Sequence, residues 1–99
     1  MSDLTIAAFQ QVIRDRYEAT DRRRGTPGTF MWFVEEVGEL ATALQECVRD
    51  PTPQRRADLA AEFADVLAWL ATLANINDVD LAAAVTKYTR EGEVRGVKH

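Results

Sequence analysis

The sequence is poor in the residues that most enzymes use for nucleophilic or soft-metal chemistry. Cysteine occurs once, at Cys47, and histidine once, at the final position, His99. One thiol excludes an intrachain disulfide, and a single thiol with a single imidazole cannot build a Cys/His zinc site. A terminal histidine is more often a frayed end than a ligand or base. Positive charge is also short. Twelve Lys and Arg face 16 Asp and Glu, a formal net charge of −4, which argues against a non-specific nucleic-acid binder. No apolar run approaches the roughly 18 residues of a membrane span. The N-terminus shows no basic segment followed by an apolar stretch of the secretory kind. The expectation is a cytoplasmic protein without membrane or nucleic-acid partners.

What remains is ordinary in bulk and strongly helical in pattern. The 99 residues, 46% hydrophobic and 28% charged, suit one small domain over 1–99. A chain this short buries a modest fraction of its surface, so association with further copies would help it. Four helices and no strand are expected. The first runs from Leu4 to Ala19, with Ser2 or Thr5 as its cap and Ile6, Phe9, Ile13 and Tyr17 forming one stripe. Thr20 to Thr29 reads as a loop, because Gly25, Pro27 and Gly28 punctuate it, with Thr26-Pro27 suited to opening the next helix. The second helix spans Phe30 to Arg49, with Phe33, Val37, Leu40 and Leu44 on one face, and Pro51 and Pro53 turn the chain. The third spans Arg55 to Asn75 on Leu59, Phe63, Val66, Leu70 and Leu73. It is apolar nearly all round, more than three short neighbours can cover, so a second subunit is expected against it. The fourth starts at a cap on Asp78 or Asp80 and ends near Gly92, before a polar, mobile tail from Glu93 to His99.

Two charged residues interrupt the third helix where charge is least welcome. Glu62 and Asp65 lie three apart, on one face, with Trp69 a turn beyond. The second helix repeats the arrangement with Glu36 and Glu39, and Trp32 a turn before them. Were the two helices antiparallel, both carboxylate pairs would face each other. Four converging acids repel unless they share protons or hold cations. All-oxygen ligation without His or Cys suits Mg²⁺, with Mn²⁺ as its substitute. A plainer account stays open: exposed Glu pairs are common on solvated faces, and Glu62 and Asp65 can form buried ion pairs with Arg14, Arg16 or Lys87.

The combination Glu35-Glu36-Val37-Gly38-Glu39-Leu40 followed by Glu62-Phe63-Ala64-Asp65-Val66-Leu67, with 22 residues between Glu39 and Glu62, resembles the MazG-like nucleotide pyrophosphohydrolases. The likeness runs from about Gly25 to Arg90 and takes in Asn75, Asp80-Leu81 and Lys87. It implies an all-α protomer assembling as a homodimer or homotetramer. It implies Mg²⁺ on Glu36, Glu39, Glu62 and Asp65, and hydrolysis of nucleoside triphosphates to monophosphate and pyrophosphate. Lys87 matches a position that contacts phosphates in that family, but Tyr88, Thr89 and Arg90 follow it where an asparagine is common. Metal-assisted phosphoryl transfer needs charge neutralisation and a positioned water, not a protein nucleophile.

Further candidates have bland readings beside the functional ones. Trp32 and Trp69 can stack on a base or simply fill core. Arg22, Arg23 and Arg24 form either a solvated run or a triphosphate contact, Arg24 being the favoured member. Lys87 can pair with Glu91. The competing functions are phosphoribosyl-ATP pyrophosphohydrolase, which shares the motifs, and a non-catalytic helical module that binds metal or a partner. A di-iron carboxylate protein lacks its Glu-x-x-His pairs here.

Overall fold

A computed structural model describes residues 3–90. Among these the regular structure is entirely helical: α1 over Ile6–Arg49, α2 over Pro53–Ile76, α3 over Leu81–Ala84, then a 3₁₀ turn over Val85–Tyr88. There are three α-helices rather than the expected four. The reason lies at Gly25, whose backbone adopts φ 78°, ψ 175° inside an otherwise helical α1. That region is open essentially to glycine alone. Pro27 follows two residues later, where a restarting helix needs no N–H donor. The stretch that reads as a loop is therefore a one-residue break, dividing α1 into an N-terminal arm and a longer arm.

Helix ends follow side-chain chemistry closely. Thr5 Oγ1 accepts from Ala8 N at 3.0 Å and opens α1. Thr52 Oγ1 accepts from Arg55 N at 3.1 Å, and Pro53, expected in the turn, instead begins α2. Asp80 Oδ1 accepts from Ala83 N at 3.2 Å at the head of α3. That last helix is shorter than expected. The Thr86 hydroxyl donates to the Ala83 carbonyl at 2.6 Å, a local bond that competes with continued α-helix, and the chain tightens to 3₁₀. Ser2, the expected end at Gly92, the Glu91 partner of Lys87 and the Glu93–His99 tail lie outside the described residues.

A buried polar network ties the N-terminal arm to the end of α2. Gln10 donates to Asn75 Oδ1 at 3.0 Å and to the Val79 carbonyl at 2.7 Å, and accepts from Leu81 N at 3.0 Å. Arg14 adds a second donor to Asn75 Oδ1 at 3.1 Å. Arg22 donates to the Asn75 carbonyl and to Asp78, which turns the chain at φ 57°. Asn75 is consequently 1% exposed.

The apolar core is small. Among the described residues only Ile13, Cys47, Ala71 and Ala74 are buried apolar side chains. Of the expected stripe on the first helix, Ile13 is buried but Ile6 and Tyr17 are exposed. On α2, Phe63, Leu67 and Leu70 are exposed, as are Phe30, Met31, Val34 and Val37 on α1. The radius of gyration is 15.6 Å, against about 13 Å for a compact chain of this length. By length and composition alone α2 is apolar enough to cross a membrane. Its midpoint, however, carries Glu62 and Asp65.

Candidate metal and nucleotide site

The longer arm of α1 and α2 run antiparallel after the short turn at Asp50–Thr52, and their functional residues stand in constant register. Trp32 is opposite Trp69, Glu36 opposite Asp65, and Glu39 opposite Glu62. The tryptophan layer is measured directly: ring centroids lie 6.3 Å apart with planes inclined by 17°. Four residues separate it from the acidic layer on each helix, or about 6 Å of helix rise.

In the acidic layer, carboxylate oxygens of Glu36, Glu62 and Asp65 lie within 4.8 Å of one another. Glu39 falls outside this trio but beside it. Burial first, then the charges of Glu39, Asp65 and Glu62, push the Glu36 carboxyl above its ordinary value of 4.5. Glu62 is raised likewise, by burial first and then by Glu39, Asp65 and Asp58. The ion pairs of the described residues are Arg22 with Glu18 and Asp78, Arg24 with Asp21, and Arg55 with Asp50. None reaches the four carboxylates, so the ion-pair account of Glu62 and Asp65 has no support. Arg14, one of its candidate cations, is bonded to Asn75 instead.

The donor set fits a hard divalent cation. Glu36 Oε2 and Glu62 Oε2 are both buried and have no hydrogen-bond partner. Buried carboxylate oxygens are normally satisfied, and a cation between them is a direct way to do so. All the converging atoms are oxygens, as Mg²⁺ prefers.

Next to the acids lies the second part of the site. Trp69 forms one wall of a cavity of about 270 Å³, which Ile13, Tyr17, Asp21, Arg24, Ala68 and Thr72 complete. Arg24 lies over the Trp69 ring, 5.0 Å from its centroid, and donates to Asp21 at 3.2 Å and to Thr29 at 3.3 Å. Three of the expected substrate residues, Trp32, Trp69 and Arg24, are thus brought together. Lys87 is not brought to the acids: it sits on the 3₁₀ turn, with Nζ 5.3 Å from the Tyr88 ring centroid. Asp21, Thr29 and Thr72 escaped the sequence reading. The signal for Asp21 was present, since 13, 17 and 21 continue one helical stripe that places a carboxylate beneath Ile13 and Tyr17.

Residues 26–95 match the family model of the MazG nucleotide pyrophosphohydrolase domain. The chain belongs to the MazG family. A relative in Mycobacterium phage L5, the Gene 37 protein, is 34% identical over an 86-residue alignment that covers 83% of this chain and 75% of the relative. No solved structure matches. Family membership gives a nucleotide pyrophosphohydrolase in general terms; three of the four carboxylates expected to hold a metal, Glu36, Glu62 and Asp65, bring their oxygens together.

Proposed function

We propose that this MazG protein hydrolyses nucleoside triphosphates to nucleoside monophosphate and pyrophosphate, using Mg²⁺, or Mn²⁺ in its place. The observation that carries the reading is the pair of buried, partnerless oxygens on Glu36 and Glu62 within a converging acidic trio. Glu36, Glu39, Glu62 and Asp65 would hold the ion. When bound, it supplies charge neutralisation for the phosphate oxygens and lowers the pKa of coordinated water. The tryptophan layer supports the base a turn away from the acids, and Arg24, over Trp69, supplies positive charge beside it. Holding the reacting groups in fixed positions lowers the entropic part of the barrier.

The functional unit in this proposal is a homodimer or homotetramer in the cytoplasm, clearing unwanted nucleotides. Its support is the exposed apolar surface of Phe30, Met31, Val34, Phe63, Leu67 and Leu70 beside a very small core. A soluble chain gains stability by burying that surface against copies of itself.

The test is direct. Purified protein with Mg²⁺ is given canonical and modified nucleoside triphosphates, and separately phosphoribosyl-ATP. Monophosphate and pyrophosphate are measured. Wild type should release both, and Glu39→Gln should lose on the order of 100-fold or more in kcat while keeping its helical content. Folded, Mg²⁺-bound protein that turns over no nucleotide would overturn the proposal.

A further inference from the structure

The cavity beside Trp69 has a floor of unusual character. Asp21 and Thr72 both line it, yet they are 3% and 4% exposed. Asp21 Oδ2 accepts from the Thr72 hydroxyl at 3.0 Å, and Oδ1 accepts from Arg24 at 3.2 Å. A carboxylate has about four acceptor positions, so these two bonds leave others open. The Thr72 proton is already committed to Asp21, and the threonine oxygen can then only accept. The floor of this slot therefore offers the acceptors of Asp21 and Thr72, while its sides are Tyr17, Trp69, Ile13 and Ala68, with the Arg24 guanidinium over the Trp69 ring and bonded to Asp21 and Thr29.

From this geometry we infer that the cavity is the nucleobase subsite, and that Asp21 selects bases carrying an exocyclic amino group at the edge that enters. This deepens the proposed function and rests on it. A flat ring held against Trp69 presents an edge to the floor. An amino group there donates to Asp21, and a hydrogen bond to a charged acceptor discriminates by roughly tenfold to hundredfold. A carbonyl at the same place brings a partial negative charge against a buried carboxylate and leaves Asp21 less well satisfied. Uracil and thymine flank their single ring N–H with two carbonyls, so they fit this floor poorly. The location agrees with the chemistry. Trp69 lies one turn beyond Asp65, which leaves the length of one pentose between the acids and the slot.

Two matched substrate pairs exchange the amino group for a carbonyl, and the adjacent ring nitrogen from acceptor to N–H donor, without assuming a ring size: CTP against UTP, and ATP against ITP. Within each pair only the edge changes. Wild type should favour the amino-bearing member by about tenfold or more in kcat/KM in whichever pair it accepts. Asp21→Asn keeps the side-chain shape but replaces one acceptor by a donor, and should bring that ratio to near one or invert it. Thr72→Ser, which keeps the hydroxyl, should retain the preference. Binding of CMP, UMP, AMP and IMP, followed by tryptophan fluorescence without metal, gives a readout independent of turnover. Equal ratios in wild type, or a preference unchanged in folded Asp21→Asn, would overturn the inference while leaving the hydrolase reading intact. Pyrophosphate release from no nucleotide, with amino-selective monophosphate binding lost in Asp21→Asn, would do the reverse.

Discussion

Replacing Gly25 by alanine tests the feature on which the arrangement of this site depends. A Cβ built at Gly25 meets nothing closer than Pro27 Cδ at 3.9 Å, so the substitution introduces no collision. Its cost is almost wholly conformational, because φ 78°, ψ 175° is a region that an L-residue enters at about 1–3 kcal/mol. For a domain of this size each kcal/mol moves the melting temperature by about 4–8 °C, so a mid-range loss of about 2 kcal/mol predicts a fall of roughly 8–16 °C. Gly38→Ala is the internal control. It lies in regular helix with nothing within 4 Å of the added Cβ, and should be neutral or stabilising by up to about 1 kcal/mol. Thermal unfolding by circular dichroism, with all variants at one protomer concentration, compares them fairly. Relaxation of Gly25→Ala toward straight helix would also draw Asp21 and Arg24 away from Trp69, so KM should rise in the variant. An unchanged melting temperature for Gly25→Ala would refute the reasoning, for it would mean that residue 25 does not hold this backbone.

Two other predictions concern charge and assembly. Glu36 and Glu62 are raised above 4.5, so the folded, metal-free chain binds more protons than the unfolded chain does in the window above that value. Their contribution to stability is full below about pH 4.5 and is lost as pH rises through the raised values; chelator-treated protein should melt higher at about pH 5 than at about pH 7, and the gain on adding Mg²⁺ should shrink over the same descent. A gain from Mg²⁺ that does not weaken with acid would show that these carboxylates do not hold the ion. Sedimentation should give a dimer or tetramer at micromolar concentration, and Leu67→Glu, placing charge on the exposed apolar face of α2, should shift it toward monomer; a monomeric wild type would refute the assembly.

Much of this architecture was legible in the residues. Thr5 and Asp80 announce their helix starts as short polar caps, and the acidic pairs stand out because Glu62 and Asp65 interrupt an otherwise apolar helix. The break at Gly25 was harder to see. Glycine and proline mark interruption, but nothing local tells whether one residue or ten leave the helix. The polar interior was harder still. Gln10, Asp21, Thr72 and Asn75 are buried through partners 51 to 65 residues away, and hydrophobic periodicity carries no trace of such pairing. Lys87, singled out by resemblance, lies on the 3₁₀ turn against the Tyr88 ring.

The break at Gly25 also divides one helix into two arms that carry different parts of the candidate site. The converging carboxylates ride on the long arm and on α2, locked in register by their antiparallel pairing. Asp21 arrives from the other side of the break, on the N-terminal arm, before the matched domain begins at residue 26. Substitutions on that arm can change what enters the slot while the acidic layer stays untouched. On the proposed reading, base choice and metal binding therefore sit on opposite sides of one glycine and can be altered separately.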